Sequence, residues 1–293
     1  VAWAIRAVNR GERVLVTCFN EPLGEMISAR LPESDRLRVG PFFPLARGLD
    51  GMPPLEVPAD AGKSFWDHDA VGHLQTNWHF ITERFDTIII DEAQDFSPAW
   101  IAQLESLLDP DGPRRIMMVA DAGQDIFDRG FQLPTVGDGW TMCELVNNCR
   151  NTHQIAKLLR GLLGGAPAPV IGPESIGIKF DLVDSDYVES VGAILSRLRS
   201  EGTETSTAVI TMTVQVRDAL RSALDLGPWE TRDEKPICES VRRLKGTEFD
   251  TVVVVDPFGE MDRQELYIAV SRAVNRLFVV GNAEVGQKLR LHA

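Results

Sequence analysis

The sequence has few cysteines and no long apolar run, and each shortage excludes a class of protein. Its four cysteines, Cys18, Cys143, Cys149 and Cys238, never form a CxxC pair. That spacing excludes a CxxC redox pair and a zinc knuckle, and it favours reduced thiols in a cytoplasmic protein. No apolar stretch approaches the ~20 residues that a membrane-spanning helix requires. The N-terminus has no basic-then-apolar secretion signal, so we expect no membrane partner.

Positive charge is also scarce. The 43 acidic residues outnumber the 30 basic ones, and the formal net charge is −13. This balance argues against a protein that coats nucleic acid by bulk attraction, although it allows a strand to be gripped in a local groove. At about 150 residues per domain, the length of 293 residues predicts two domains.

Short apolar runs alternate with amphipathic stretches along the whole chain. This alternation predicts an α/β fold with mainly parallel sheets. Several of the runs are continuous Val and Ile, as expected of strands covered by helices on both faces. The predicted strands are Val14 to Thr17, Thr87 to Ile90, Ile116 to Ala120, Ile178 to Val183, Ala208 to Met212, Thr251 to Val255 and Leu277 to Val280.

Two helices and two irregular segments can be predicted from their boundaries. The helix in SPAWIAQLESLLDP is predicted to be capped by Ser97. The helix in NTHQIAKLLRGLLGG is predicted to start at a capping Asn151 or Thr152 and to stop at its two final glycines. Residues 31–60, rich in Pro and Gly, predict an irregular insertion, and residues 164–173 predict the connection between domains or the start of the second.

The segment FDTIIIDEAQDFS delivers acidic side chains to the end of a buried strand. Open parallel sheets bind their ligands at the carboxyl ends of strands, where Asp91 and Glu92 are expected. Asp91 can hold a magnesium ion, usually through water, while Glu92 takes a proton from an attacking water. The alternative is a common acidic loop after a strand, but Gln94 and Asp95 make DEAQD a more particular pattern.

Six further candidate residues lie in four later segments. Gln124, after a second buried strand, could hydrogen-bond a terminal phosphate or the attacking water. Arg150 in NNCRNT could direct two donors toward phosphate oxygens. The candidates that precede the last two predicted strands are Lys245, Gly246, Glu248 and Arg272. Taken singly, each is better explained as a surface or turn residue.

Taken in order, five segments resemble the second to sixth signature motifs of UvrD/Rep-like superfamily-one DNA helicases. The family patterns DExQD, GDxxQxIY, NYRS, KGLEFD and LYVAxTRA correspond here to DEAQD, ADAGQDIF, NNCRNT, KGTEFD and LYIAVSRA. The opening GERVLVTCFNEPLGEMI is similar to the segment that precedes the DExQD strand. The resemblance covers Gly11 to Gly281, and five motifs in this order argue against chance. The CFNEPL and NNCRNT variants look more like helicases attached to nuclease-related domains.

This resemblance implies two tandem RecA-like domains, at residues 1–146 and 147–293, with ATP and Mg²⁺ bound at their interface. The implied nucleotide-site residues are Asp91 for magnesium, Glu92 as catalytic base, Gln124 as sensor of the terminal phosphate, Arg150 and Arg272 as arginine fingers, Glu248 at the ribose, and Gly246 as a further cofactor-binding residue. We expect the six side chains of this group to line one cleft.

Single-stranded DNA is the implied second partner. The residues expected to touch its backbone are Thr17, Asn20, Ser240 and Lys245. Two departures from the family make these contacts less secure than the ATP chemistry. The aromatic platform on which a base stacks corresponds here to Asp128, flanked by Phe127 and Phe131, and the usual His of the fifth motif is Arg242. The fourth and fifth motifs stand too close together for the inserted lobe of UvrD and Rep.

The phosphate-binding pattern GxxxxGK[ST] occurs nowhere in the chain. The family needs its Lys and backbone amides to cradle the phosphates. Because VAWAIRAVNRG resembles the rest of the helix after such a loop, we expect a preceding strand and loop in the full protein. A natural remnant that lost the loop is the alternative. Where that strand belongs, we expect an irregularity in the first sheet, because its neighbours lose hydrogen-bond partners.

The sequence therefore predicts a cytoplasmic helicase motor that couples ATP hydrolysis to movement along single-stranded DNA. Without the phosphate loop, we expect this chain alone to be inactive. The alternative is a non-hydrolysing interaction module that keeps the helicase shape. The presence of a catalytic base and two arginine fingers argues against that alternative, because a dead module needs neither.

Overall fold

The computed structural model describes residues 1–62, 64–137, 139–145, 147–163, 172–174, 177–183 and 186–291. The chain forms two compact units, Val1–Leu133 and Pro134–Ala293, each with its own parallel sheet. The predicted α/β fold with parallel sheets is confirmed. The predicted boundary between residues 146 and 147 falls beside a residue outside the described ranges and stays a prediction, as does the RecA-like character of the two units.

The first unit has a four-stranded sheet in the order β2-β1-β3-β4, with every neighbouring pair parallel. The strands are β1 Val14–Cys18, β2 Leu37–Pro41, β3 Thr87–Ile90 and β4 Arg115–Met118. The helices are α1 Ala2–Asn9, α2 Glu21–Ala29, α3 Phe42–Arg47, α4 Ala70–Asn77 and α5 Pro98–Glu105. Successive side chains of a strand point to opposite faces, so Leu15 enters one apolar core while Val14 and Val16 enter another.

The second unit has a five-stranded parallel sheet in the order β5-β9-β8-β6-β7. The strands are β5 Ile178–Leu182, β6 Thr207–Thr211, β7 Ile237–Ser240, β8 Phe249–Asp256 and β9 Ala273–Gly281. The helices are α6 His153–Leu163, α7 Tyr187–Ser200, α8 Val214–Ala223, α9 Arg263–Ser271 and α10 Ala283–Leu289. β8 lies inside the sheet and is buried from residue 251 to 256, which explains its uninterrupted Val run.

Two sequence predictions about local structure were wrong. The segment 31–60 is not simply irregular, because it contains β2 and α3. β2 was not predicted because Gly40 and Pro41 are unusual in strands. As an edge strand, however, β2 tolerates a proline that would break the hydrogen-bond ladder of a central strand. α2 packs so closely on this strand that a Cβ at Gly24 would lie 2.7 Å from Pro41 Cδ. The strand β7 was also absent from the predicted strands, because it is short and is followed by a turn.

The two predicted helix starts had different outcomes. Ser97 caps α5 as predicted, with Oγ accepting a hydrogen bond from the Trp100 amide at 3.3 Å. Neither Asn151 nor Thr152 caps α6 through its side chain. The Asn151 amide bonds elsewhere, and the buried Thr152 hydroxyl has no hydrogen-bond partner among the described residues. The predicted stop of α6 at Gly164, and most of the predicted connection that follows, lie outside the described residues.

β4 is one of the two edge strands of the first sheet, as described. The register runs without interruption through the described strands of that sheet, so the expected irregularity is not a gap inside it. β4 is instead exposed at its first residue and partly exposed along the rest, whereas β1 and β3 are wholly buried. Among the described helices, none is long and apolar enough to cross a membrane.

Candidate functional site

The acidic pair of DEAQD lies where the sequence placed it, directly after β3. The Asp91 amide donates to the Thr17 carbonyl at 2.8 Å, which fixes Asp91 beside the end of β1. Glu92 has a φ of 52°, a left-handed conformation that few residues other than glycine adopt. Backbone strain of this kind costs on the order of 1–3 kcal/mol and clusters at functional sites.

Gln94 joins Glu92 to the loop after β4. Its Nε2 donates to Glu92 Oε2 at 2.5 Å, and its Oε1 accepts from the Asp121 amide at 3.0 Å. Asp121 in turn accepts from Gln124 Nε2 at 2.8 Å. The structure therefore brings Glu92 and Gln124 into one hydrogen-bonded chain. The role of Gln94 was missed, because its partner Asp121 lies 27 residues away in sequence.

Negative charge accumulates at this edge of the sheet. Burial raises the pKa of the Cys18 thiol, and the charges of Asp91, Glu92 and Asp95 raise it further. Among the described residues, no group of three or more His, Cys, Asp or Glu side chains is arranged to hold a metal ion. That arrangement still fits Mg²⁺, which is usually held by one or two carboxylates together with water and substrate phosphates.

Arg129, which bonds to the last residue of DEAQD, is enclosed by aromatic rings. The Arg129 guanidinium carbon lies 4.0 Å from the ring centre of Phe19, 4.5 Å from that of Phe127 and 4.9 Å from that of Trp100. Its Nη1 donates to the Asp95 carbonyl at 2.5 Å. Phe127 therefore packs on an arginine, although the sequence suggested it as a neighbour of a base platform. This cation–π cluster was not predicted, because its members come from three separate segments.

In the second unit, the fourth and fifth motifs meet through an ion pair. Arg150 Nη2 lies 2.8 Å from Glu248 Oε1, and both side chains are partly exposed. Glu248 stands in the turn before β8, and Arg150 precedes α6. The structure thus joins a predicted arginine finger to the predicted ribose ligand, and each neutralises charge on the other.

Arg272 lies close to this pair but is turned into its own unit. Only 1% of its surface is exposed. Its Nη1 donates to the Thr247 carbonyl at 3.1 Å, and its Nε donates to the Ile268 carbonyl at 3.1 Å. Because Thr247 is adjacent to Glu248 in sequence, the structure gathers Arg150, Glu248 and Arg272 within one unit. To reach a phosphate, the Arg272 guanidinium has to leave these carbonyls.

The predicted DNA contacts differ in how accessible they are. Asn20 and Ser240 are partly exposed. Thr17 and Lys245 are each 1% exposed, and the Thr17 hydroxyl donates to the Gly40 carbonyl at 3.1 Å. In this conformation Thr17 and Lys245 offer almost no side-chain surface to a strand. Gly246 has a φ of 81°, which explains why a glycine follows Lys245 in this turn.

Comparison with known proteins found a family match for part of the chain and similar solved structures. Residues 237–280 match the family model of the UvrD-like helicase C-terminal domain. The C-terminal domain of a possible DNA helicase from Lactobacillus plantarum is similar at 25% identity and a TM-score of 0.37, covering 48% of this chain and 91% of that one. The PRRSV helicase is similar at 14% identity and a TM-score of 0.48, covering 96% of this chain and 49% of that one. No curated protein matches the chain.

The family match confirms the resemblance to UvrD-like superfamily-one helicases. The predicted site residues inside the matched segment are Ser240, Lys245, Gly246, Glu248 and Arg272. The segment therefore contains the fifth and sixth motifs, and the individual roles of these residues stay predictions. That the acidic group of the first unit and the arginine group of the second share one site also stays a prediction.

Proposed function

Because residues 237–280 carry a UvrD-like helicase C-terminal segment, we propose that the chain forms the ATP-driven motor of a helicase that moves along single-stranded DNA. The observation that carries this proposal is the grouping of motif residues inside the second unit. Arg150, Glu248 and Arg272 come from three separate motifs, yet they are linked through a 2.8 Å ion pair and a hydrogen bond to the adjacent Thr247 carbonyl.

Each side chain in the proposed reaction has a defined task. Glu92 accepts the proton of the attacking water, held in place by its hydrogen bond from Gln94. Gln124 contacts the terminal phosphate or that water. Arg150 and Arg272 stabilise the charge on the phosphoryl group, since guanidinium donors match phosphate oxygens. Asp91 would hold Mg²⁺, which would supply neutralisation of the phosphate charge.

The proposal requires a phosphate cradle that these 293 residues do not contain. We place this cradle outside the chain, in the protein or complex in which hydrolysis takes place. The edge position of β4 among the described strands is compatible with this placement, because an edge strand can accept one more strand. Nucleic-acid binding is proposed for the same assembly, through Asn20 and Ser240 and the less accessible Thr17 and Lys245.

Replacing Glu92 by Gln tests the proposal. Glu92→Gln in the protein that supplies the cradle keeps the side chain's size but removes its proton acceptor. We expect DNA-stimulated hydrolysis to fall by about 10² or more while nucleotide affinity is kept. The control is Glu105→Gln, an exposed glutamate of α5 in the same unit. Unchanged kcat with weakened nucleotide binding would make Glu92 a binding residue and overturn the assignment.

The inward position of Arg272 favours a second candidate, a helicase-shaped module that does not hydrolyse ATP. In such a module the guanidinium only fastens α9 to the turn before β8. Arg272→Lys keeps the charge but loses the planar set of donors. The motor predicts that this variant loses hydrolysis in the complete protein. The module predicts a lower melting temperature and no hydrolysis even before the substitution.

A further inference from the structure

Asn151, which follows Arg150, uses its buried amide to hold the backbone around Arg272. The side chain is almost fully enclosed, with 4% of the residue exposed. Its Nδ2 donates to the Ser271 carbonyl at 3.2 Å and to the Ala273 carbonyl at 2.7 Å. These two carbonyls stand on either side of Arg272, so both amide hydrogens serve to fix that residue's backbone.

The other end of the Asn151 amide is tied to the turn that carries Arg150. Asn151 Oδ1 accepts from Asn148 Nδ2 at 2.9 Å. Asn148 Oδ1 accepts from the amide of Arg150 at 3.1 Å and from that of Asn151 at 3.0 Å. The turn before α6 is therefore closed on itself and attached to the end of α9 by the Asn151 side chain, and the Thr152 amide also donates to the Val274 carbonyl of β9 at 3.1 Å.

A second connection links the two arginines through the turn before β8. Together with the Asn151 contacts it forms a closed set of interactions, which we call the frame. Arg150 pairs with Glu248, and Arg272 donates to the carbonyl of Thr247, the preceding residue. Both arginines are thus linked through the turn before β8 and through Asn151, and Arg272 also donates to the Ile268 carbonyl and to Ser271 Oγ. We propose that Asn151 is a positioning residue that keeps Arg150 and Arg272 in a fixed relation, so that they meet a phosphoryl group together. This rests on the proposed function of the two arginines.

The physical reason lies in how arginine fingers act. They stabilise charge only from the correct position, and a misplacement of about 1 Å can cost about 10²-fold in rate. A helix-capping role does not explain Asn151, because its oxygen accepts from Asn148 and its nitrogen points to α9 and β9. An amide is required, since a carboxylate of the same shape would face two carbonyl oxygens.

The test compares Asn151→Asp with variants of its neighbours in the hydrolysing protein. We expect Asn151→Asp to lower kcat at least tenfold and to change KM for ATP by less than twofold. Asn148→Ala removes the hydrogen bond to Asn151 Oδ1 and those from the Arg150 and Asn151 amides. It keeps both bonds from Asn151 to the carbonyls beside Arg272, so it should lower kcat by a smaller factor. Thr152→Val is the matched control, because it removes a buried hydroxyl without a hydrogen-bond partner among the described residues and should leave kcat unchanged.

Loss of stability is controlled with Leu162→Ala, a cavity variant at the far end of α6. Asn151→Asp and Leu162→Ala are compared below both melting temperatures. An equal kcat in these two variants would overturn the proposal, as would an unchanged kcat in both asparagine variants.

Hydrogen exchange provides a readout that does not depend on hydrolysis. The Phe249 amide donates to the Arg272 carbonyl at 2.9 Å. We expect this amide to exchange faster in Asn151→Asp, or in Asn148→Ala if the aspartate variant does not fold, but not in Thr152→Val. Absence of ATPase in the unmodified protein would refute only the proposed function, whereas unchanged exchange at Phe249 would refute the frame.

Discussion

Glu12 offers a quantitative test of how the first sheet is held together. Its carboxylate lies at the amino ends of the strands, where it accepts hydrogen bonds from Arg10, Thr87 and Arg115. The Arg10 hydrogen bond is the largest cause that lowers the pKa of Glu12 from 4.5 to about 2, and those from Thr87 and Arg115 lower it further against the effect of burial. Thr87 begins β3 and Arg115 begins β4, so one carboxylate joins two strands.

The size of the effect follows from the pKa. At about 1.4 kcal/mol for each pH unit, the fall in the pKa of Glu12 from 4.5 to about 2 corresponds to an upper bound of roughly 3.5 kcal/mol. The side chains of Arg10 and Arg115 are 48% and 46% exposed, so solvent screening reduces the expected contribution to about 1–2 kcal/mol. A group whose pKa is lowered by folding stabilises the protein above its unfolded pKa. This contribution is lost as the pH falls from about 4.5 toward 2.

Urea unfolding of Glu12→Gln measures this contribution. We expect the variant to be less stable than the unmodified chain by about 1–2 kcal/mol at pH 7, and the difference to shrink steadily below pH 4.5. Glu56→Gln is the control, because this exposed glutamate has no ion pair or hydrogen bond among the described residues. A difference that stays constant down to pH 3, or one that matches the control at pH 7, would refute the reasoning.

Three further predictions concern activity, thiols and the acidic loop. Purified alone, this chain should not turn over ATP, and DNA-stimulated release of phosphate by the pure chain would contradict this. Cys143 and Cys149 are exposed and should react with a thiol reagent at pH 8, whereas Cys18 and Cys238 should react only after unfolding. Burial raises the pKa of Cys238 to about 12, and peptide mapping reads out each site. Gln94→Ala removes one hydrogen bond within the loop after β3 and one to the loop after β4, and it should lower the free energy of unfolding by about 1–3 kcal/mol, with no change in urea midpoint as the contrary result.

Local features of this protein could be predicted from its sequence because short-range physics decides them. The Val and Ile runs of β1, β3 and β8 are stable only when they are buried inside a sheet, so the positions of these strands were predicted closely. Ser97 and Pro98 start α5 through a bond that spans three residues. The family resemblance rested on the sequences of the motifs, and the match of residues 237–280 confirms it.

Only the tertiary structure decided which partners the buried polar groups take. Asn151 has the sequence position of a helix cap, yet its amide bonds to carbonyls about 120 residues away. Arg272 was predicted as a finger, but its hydrogen bonds to Thr247 and Ile268 leave it 1% exposed. A buried donor has to find an acceptor, and the nearest acceptor is set by packing between elements rather than by neighbours along the chain. For that reason the residues of the candidate site could be named from sequence, whereas their hydrogen bonds, burial and supporting side chains could not.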